Sequence, residues 1–145
     1  MFKSIKIAVD TIVDELAQVA DNAIDYALPT MVDLNVDQMM QGLNAEGDEI
    51  GEYRSPSYAE FKQYLNSRPA PFVPDLRLTG SFHSRMFAKR SGDEITFSST
   101  DWKTDALVDK YGAIFGLTEE SREGVTNNYI FPIITDWLGQ QIRKI

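Results

Sequence analysis

The first 28 residues alternate apolar and polar positions with the period of an α-helix. Apolar residues recur at steps of three and four from Ile5 to Ala27, and aspartates such as Asp10 and Asp14 occupy positions between them. This spacing predicts an amphipathic helix. Pro29 is expected to end it, because the residue before a proline is pushed out of the helical region.

The pattern weakens over residues 30–75, which predicts a loop-rich segment. Val32 and Leu34 alternate like a short strand, and the helical spacing that follows is expected to end at Gly42. Tyr58–Leu65 is spaced like a second short helix. Three prolines after it exclude helix and favour an extended connector.

Period-two alternation returns further along the chain. It runs through Phe82–Arg90 and again through Glu94–Ser98, and the turn-forming residues Ser91, Gly92 and Asp93 lie between the two runs. This arrangement predicts a β-hairpin.

Helical patterns follow the hairpin. Thr104–Tyr111 suggests a short helix ended by Gly112, and Pro132 can open a longer amphipathic helix that reaches Ile145. The sequence therefore predicts an α+β fold with helices at both ends and an antiparallel hairpin between them. One domain over residues 1–145 is expected, made of the N-terminal helix (1–29), the loop-rich segment (30–75) and the hairpin with the C-terminal helix (76–145).

Charge is distributed unevenly along the chain. Residues 1–50 carry two lysines and ten acids, residues 51–90 carry seven basic side chains and three acids, and residues 91–125 carry three and eight. Mixed surface charge is ordinary for a solvated protein. An alternative interpretation is a self-complementary subunit, in which the basic surface of one copy contacts the acidic surface of the next. The net charge of -8 makes nucleic-acid binding a weaker interpretation.

Three groups of residues could carry chemistry, and each departs from the pattern that its chemistry needs. Asp33, Asn35 and Asp37 copy the start of a calcium-binding loop, but the glycine and the closing glutamate of that motif are missing. They are expected to be solvated turn and cap residues. An acidic cluster around Asp48 lies in a glycine-centred turn and is expected to be solvated. The single histidine, His83, is expected at the surface of a strand.

The sequence therefore predicts no catalytic site, metal site or cofactor. There is no cysteine, which excludes disulfides and thiolate chemistry. No apolar run approaches the roughly 18 to 20 residues of a membrane span, and no signal peptide pattern is found at the start.

Several short elements, taken in order, form a familiar series. They are Leu76 to Phe82 (LRLTGSF), the hairpin strand around Thr96, Lys110 to Gly116 (KYGAIFG) and the closing helix. The series resembles the phage virion-morphogenesis and tail-completion family, small proteins of the head-tail junction of tailed phages and prophages. Upstream residues extend the likeness to roughly residues 34–145: Leu34, Asn35, Gln38, Gly42, Tyr58, Ala59 and Lys62.

The resemblance implies a structural subunit that forms a ring at the head-tail junction or tail end, as a neck, tail-completion or tail-terminator protein. Its implied partners are copies of itself and neighbouring portal, connector or tail-tube proteins. It would act in the virion after assembly in the bacterial cytoplasm, without a membrane, and would meet DNA only as it passes through a channel. The family has no enzymatic role.

Candidate site residues follow from this interpretation. The subunit interface is expected to use basic residues of the central segment and acidic residues of the first helix: Arg77, Arg85, Lys89, Arg90, Asp10, Asp14 and Asp21. Leu78, Thr79 and Gly80 are expected to shape the opening of the hairpin, and Tyr111 and Gly112 form the tyrosine-glycine segment of the family.

Two other classes of function are kept as alternatives. One is a small acidic phage-encoded binding or inhibitor protein that acts on a host protein, and the sequence pI of about 4.6 is compatible with it. The other is a metal-dependent hydrolase that uses the acidic cluster Glu46, Asp48 and Glu49.

Overall fold

A computed structural model describes residues 1–51 and 80–145 of the chain. The predicted helix Tyr58–Leu65, the proline-rich connector and three of the candidate site residues lie outside the described residues: Arg77, Leu78 and Thr79. Their predicted roles stay predictions.

Helix α1 spans Phe2–Met40 and continues through Pro29. The prediction that Pro29 ends the helix was wrong, as was the prediction of a strand or loop after it. A proline inside a helix removes one hydrogen bond and strains the backbone, at a cost of about 3 kcal/mol. Met31, Asn35 and Met39 lie four residues apart on one face beyond Pro29, and all three are buried. Their burial offsets the cost of the proline.

The predicted helix end at Gly42 is confirmed. Gly42 has a φ of 79°, and its N–H donates to the carbonyl of Met39 at 2.9 Å, while the N–H of Leu43 donates to the carbonyl of Gln38 at 2.8 Å. These two hydrogen bonds form a Schellman cap, which needs a residue that tolerates positive φ. The chain then turns sharply, and Leu43 pairs with Glu49 in an isolated antiparallel bridge.

The predicted β-hairpin is confirmed, but it begins later than the alternation suggested. Ser81–Ser84 form a short helix, α2, and strand β1 starts only at Met86. The single turn of helix follows Gly80, whose φ of 85° turns the chain before it. Alternating side chains cannot distinguish one helical turn from a strand over so few residues.

The two strands are regular once they begin. β1 spans Met86–Ser91 and β2 spans Glu94–Ser99. They pair antiparallel from Met86 opposite Ser99, at the base, to Ser91 opposite Glu94 beside the turn. The burial pattern alternates along both strands and is greatest at the base, so one face of the hairpin is more exposed than the other.

The predicted helices after the hairpin are confirmed, and a further helical stretch precedes the last one. α3 spans Thr104–Tyr111 and ends at Gly112, as predicted. α4 spans Glu119–Val125 and α5 spans Phe131–Arg143, with a proline in its first turn. Thr118 caps α4, because its hydroxyl accepts a hydrogen bond from the N–H of Ser121 at 3.2 Å.

A π-helical turn, Thr126–Ile130, joins α4 to α5. Val125 and Ile130 flank it, and both are buried. Residues five apart point about 140° away from each other in an α-helix, so they would not share a face. The wider π-helical turn brings them to the same side.

The chain divides into two compact units, one made of residues 1–28 and 123–145 and the other of residues 29–122. The core of the second unit is a hydrophobic cluster of five buried residues: Met39, Ile50, Phe82, Met86 and Ile114. The α+β class is confirmed, with the long N-terminal helix, the antiparallel hairpin and the C-terminal helix in the predicted order. That residues 1–145 form one domain stays a prediction. No helix in the described part of the chain is long and apolar enough to cross a membrane.

Candidate subunit interface

The hairpin presents the described basic residues of the predicted interface in three different settings. Lys89 is exposed on β1. Arg85 is exposed just before β1, where it follows helix α2. Arg90 is half-buried, and its guanidinium donates to the carbonyl of Gly92 at 3.0 Å across the hairpin turn. The Arg90 side chain therefore helps to hold the turn as well as carrying charge.

Lys89 lies on the more exposed face of the hairpin together with an aromatic residue. Phe87 is two residues away on β1 and is 42% exposed. Ser98 pairs with Phe87 and Thr96 pairs with Lys89 on the neighbouring strand. Side chains two apart on a strand share a face, so this surface combines one exposed ring and one ammonium group. Exposed aromatic rings such as that of Phe87 are enriched at protein interfaces.

A polar network holds the base of the hairpin against the start of α3. The hydroxyl of Ser99 donates to the carbonyl of Phe82 at 2.9 Å and accepts from the N–H of Asp101 at 3.2 Å. The hydroxyl of Thr104 donates to the carbonyl of Asp101 at 2.7 Å. Ser99 and Asp101 are both buried. Buried polar groups stabilise a fold only when they are paired in this way.

Asp101 is the acidic residue of this network. Its Oδ1 accepts a hydrogen bond from the N–H of Lys103 at 3.0 Å, and this bond holds the pKa of the Asp101 carboxyl below its usual value of 3.8. Further hydrogen bonding from Ser81 and the charges of Lys103 and Arg85 act in the same direction, while burial opposes them. Arg85 therefore already interacts in part with Asp101 of its own chain.

The acidic half of the predicted interface lies on α1. Asp10 and Asp14 are exposed, and Asp21 is half-buried. Their spacing of four and seven residues places all three on one face of the helix. Asp10 already accepts a hydrogen bond from Lys6, with 2.9 Å between Oδ2 and Nζ. Both side chains of that pair are well exposed, so the pair contributes little to stability.

The tyrosine-glycine segment is part of the core of the second unit. Tyr111 packs against the hydrophobic cluster, and the Nζ of Lys110 lies 5.0 Å from the centre of its ring. Gly112 ends α3 with a φ of 72° and a ψ of -122°, a backbone conformation that L side chains rarely adopt. This segment shapes the fold of the second unit.

Two amides of α1 bind the backbone that follows this segment. Asn35 donates to the carbonyl of Ile114 at 3.1 Å and accepts from the N–H of Gly116 at 3.0 Å. One helical turn later, Gln38 donates to the carbonyl of Gly116 at 2.9 Å and accepts from the N–H of Thr118 at 3.0 Å. We call these four hydrogen bonds the amide clamp. It joins positions 78 to 81 residues apart in the chain.

The amide clamp explains why polar residues are buried on α1. Asn35 is 0% exposed and Gln38 is 5% exposed. The prediction that Asn35 is a solvated turn or cap residue, like Asp33 and Asp37, was wrong. Asp33 and Asp37 are exposed on α1. Asn35 lies at a position where the apolar spacing predicts a core residue. A polar residue at such a position was the signal that could have located the amide clamp.

The other residues considered for chemistry fall in separate places. Glu46, Asp48 and Glu49 are exposed in the turn after α1, where the side-chain oxygen of Asn44 accepts from the N–H groups of Glu46 and Asp48. Within residues 1–51 and 80–145, no three His, Asp or Glu side chains are grouped so as to hold a metal ion.

His83 is buried, so the prediction of a surface histidine on a strand was wrong. It is 8% exposed and lies on α2, with its ring centre 5.7 Å from that of Phe82. The helical turn places it beside the core. It lines an open groove of ≈ 500 Å³ in the second unit, whose other lining residues are Val32, Asp33, Val36, Asp37, Met40, Gly80, Ser84 and Met86.

Comparison of the chain with known protein families, with curated proteins and with solved structures gives no match.

Proposed function

We propose that this chain is a non-enzymatic structural subunit of a tailed-phage virion, which forms a ring at the head-tail junction or at the tail end. In this role it acts as a neck, tail-completion or tail-terminator protein. It contacts copies of itself and adjoining portal, connector or tail-tube proteins. It is assembled into particles in the cytoplasm of the bacterial host.

The proposal is carried by two exposed surfaces of opposite charge. The hairpin presents Lys89 and Arg85, and α1 presents Asp10 and Asp14. A contact between the basic surface of one copy and the acidic surface of the next is heterologous, since it uses a different patch on each partner. Repetition of such a contact closes a ring when the rotation between copies allows it.

The position of the family-like residues supports the same role. Asn35 and Gln38 belong to the upstream part of the resemblance, and Ile114 and Gly116 belong to the tyrosine-glycine part. The amide clamp joins these two parts directly. These residues of the resemblance are therefore in direct contact within the second unit.

The first test is the presence of the protein in purified particles. Quantitative mass spectrometry of virions should find the chain at a fixed small copy number, as expected for a closed cyclic ring. A chain that is expressed during infection but absent from virions would exclude the structural role. Capture of a host protein by a discrete monomer would support the inhibitor alternative instead.

The second test is charge reversal on the hairpin. Arg85→Glu with Lys89→Glu should abolish ring-sized assemblies in solution while the far-ultraviolet circular dichroism stays that of the folded chain. Lys110→Glu is the matched control, since Lys110 is an exposed lysine on α3 outside the predicted interface. Equal assembly by the hairpin variant and the control would refute the assignment of this surface.

A further inference from the structure

The first four turns of α1 expose apolar side chains to solvent. Phe2 is 83% exposed, Val13 61%, Val9 43% and Ile5 41%. Together with the half-buried Leu16, they fall within an arc of about 80° when plotted at about 100° per residue. We call these five residues the outer stripe. Contiguous exposed apolar surface of this kind marks a docking site in soluble proteins.

The spacing of the outer stripe is symmetric about its centre. Its members lie at positions 2, 5, 9, 13 and 16, so the steps are three, four, four and three. A second copy of this helix running antiparallel brings Phe2 opposite Leu16, Ile5 opposite Val13, and Val9 opposite Val9 of the other copy. Every member of the outer stripe then meets another member, over a length of about 21 Å at 1.5 Å per residue.

The charges beside the outer stripe favour the same alignment. Lys3 and Lys6 lie in the first two turns, and Asp10, Asp14 and Glu15 lie in the next two. An antiparallel copy places Lys6 within one turn of Asp10 of the other copy, and the two residues lie on the same side of the outer stripe. A parallel copy would place lysine against lysine and acid against acid, which is unfavourable.

We propose that the outer stripe binds a second copy of this chain as an antiparallel, two-fold symmetric helix pair. The contact is isologous, because each copy contributes the same residues. It goes beyond the heterologous hairpin contact and does not depend on it. Asp10 and Asp14 lie about 100° and 140° from the centre of the outer stripe, so they stay accessible to the hairpin of a neighbouring copy.

Self-association of the full chain measures the contact directly. Sedimentation equilibrium from about 1 µM to about 1 mM should show the 16.4 kDa chain in equilibrium with a species of twice that mass. The double variant Arg85→Glu with Lys89→Glu is the background of choice, since the hairpin contact is disabled in it and the pair should remain. A monomer throughout this range overturns the proposal.

Val9 lies on the two-fold axis, so one substitution brings two new charges together. Val9→Asp should weaken the pair by about a hundredfold or more, because like charges meet in an apolar contact. Thr11→Asp is the matched control, since it adds the same charge to an exposed position on the opposite face of α1. Equal weakening by both variants would overturn the assignment of the outer stripe.

Cysteine cross-linking determines the orientation, and the chain has no cysteine of its own. Val9→Cys should form a disulfide-linked dimer with itself. Ile5→Cys and Val13→Cys should cross-link only when mixed, because in the antiparallel pair two copies of Val13 are about 12 Å apart along the axis and beyond disulfide reach. Homodimers from Ile5→Cys or Val13→Cys alone would refute the antiparallel alignment.

Charge exchange tests the register without changing the outer stripe. Lys6→Glu and Asp10→Lys should each weaken the pair by about threefold to tenfold at low salt, and the double variant should restore it. Lack of restoration would overturn the register. Binding to anionic phospholipid vesicles without self-association would also overturn the proposal, since a lipid surface would then be the partner.

These results separate the two proposals. If the chain forms the helix pair in solution but is absent from virions, the α1 contact stands and the structural role is refuted. If the chain is present in virions but forms no dimer in solution, the structural role stands and the α1 contact is refuted.

Discussion

The two ends of helix α1 have opposite relations to solvent. Near its C-terminus the helix buries polar side chains, with Asn35 0% exposed, and near its N-terminus it exposes apolar ones, with Phe2 83% exposed. The buried amides are satisfied by backbone groups of residues 114–118. The exposed apolar residues have the spacing of a surface that pairs with its own copy. Whether a side chain of this helix is buried therefore depends more on what packs against it than on its polarity.

The largest effect is expected at the buried end. Asn35→Leu leaves the carbonyl of Ile114 and the N–H of Gly116 without their partner, and an unpaired buried group costs about 1–3 kcal/mol. We expect the free energy of unfolding to fall by about 3 kcal/mol, measured by urea denaturation. Asn22→Leu is the control, because Asn22 is an exposed amide on the same helix and should change little. Equal losses of stability in the two variants would contradict the stabilising role of the amide clamp.

The second effect concerns the backbone that the amide clamp holds. Gly116 has a φ of 125°, and a Cβ added there would lie 3.1 Å from the Cβ of Ala45. Gly116→Ala should lower the free energy of unfolding by about 2 kcal/mol through strain and crowding.

Gly124 is the matched control for Gly116. It lies in helix α4, and a Cβ there would meet nothing within 4 Å. Gly124→Ala should therefore stabilise by about 0.5–1 kcal/mol. Thermal melts of the two variants should shift in opposite directions, and shifts in the same direction would contradict the strained backbone at Gly116.

A smaller effect is expected from the carboxylate beneath the hairpin. The lowered pKa of Asp101 means that its stabilising contribution is present above pH 3.8, the ordinary value, and is lost as the pH falls through the lowered value in the fold. Asp101→Asn should therefore be less stable than the parent at pH 6, and this difference in stability should disappear at low pH. Urea midpoints measured from pH 6 to about pH 2 test this, and a gap independent of pH would contradict it.

The smallest effect on folding is expected at the exposed end of α1. Val13→Ser should change the free energy of unfolding of the monomer by less than about 0.5 kcal/mol, because the side chain is 61% exposed. Urea denaturation at a concentration where the chain is monomeric measures it. A loss as large as that of Asn35→Leu would mean that Val13 is buried within its own chain.

The elements predicted from local pattern were those whose signals lie close together in the sequence. Gly42 and Gly112 end helices as predicted, and Gly92 lies in the turn of the predicted hairpin, because turn and cap chemistry is decided over a few residues. Pro29 was misjudged because local propensity opposed a burial pattern that only the folded chain creates.

The candidate interface stays a prediction, and only the exposure of its described residues can be compared with the sequence. The exposure of Lys89, Asp10 and Asp14 agrees with a surface role, since an alternating or helical pattern distinguishes outward positions. The burial of His83 and the partners of the amide clamp could not be predicted in this way. The position of Asn35 in the apolar period could have indicated a buried amide, but its partners near Ile114 lie almost 80 residues away, and a local pattern does not identify them.

The π-helical turn preserves the phase of everything that follows it. A π-helical turn carries one residue more than the α-helix that would replace it, so deletion of Asn128 would leave a continuous α-helix in which Val125 and Ile130 lie four residues apart, on the same face. A regular α-helix that kept every residue would instead set Ile130 about 140° away from Val125 and would turn the side chains from Phe131 onward with it. The terminal helix thus owes the face it presents to a local widening that absorbs one supernumerary residue.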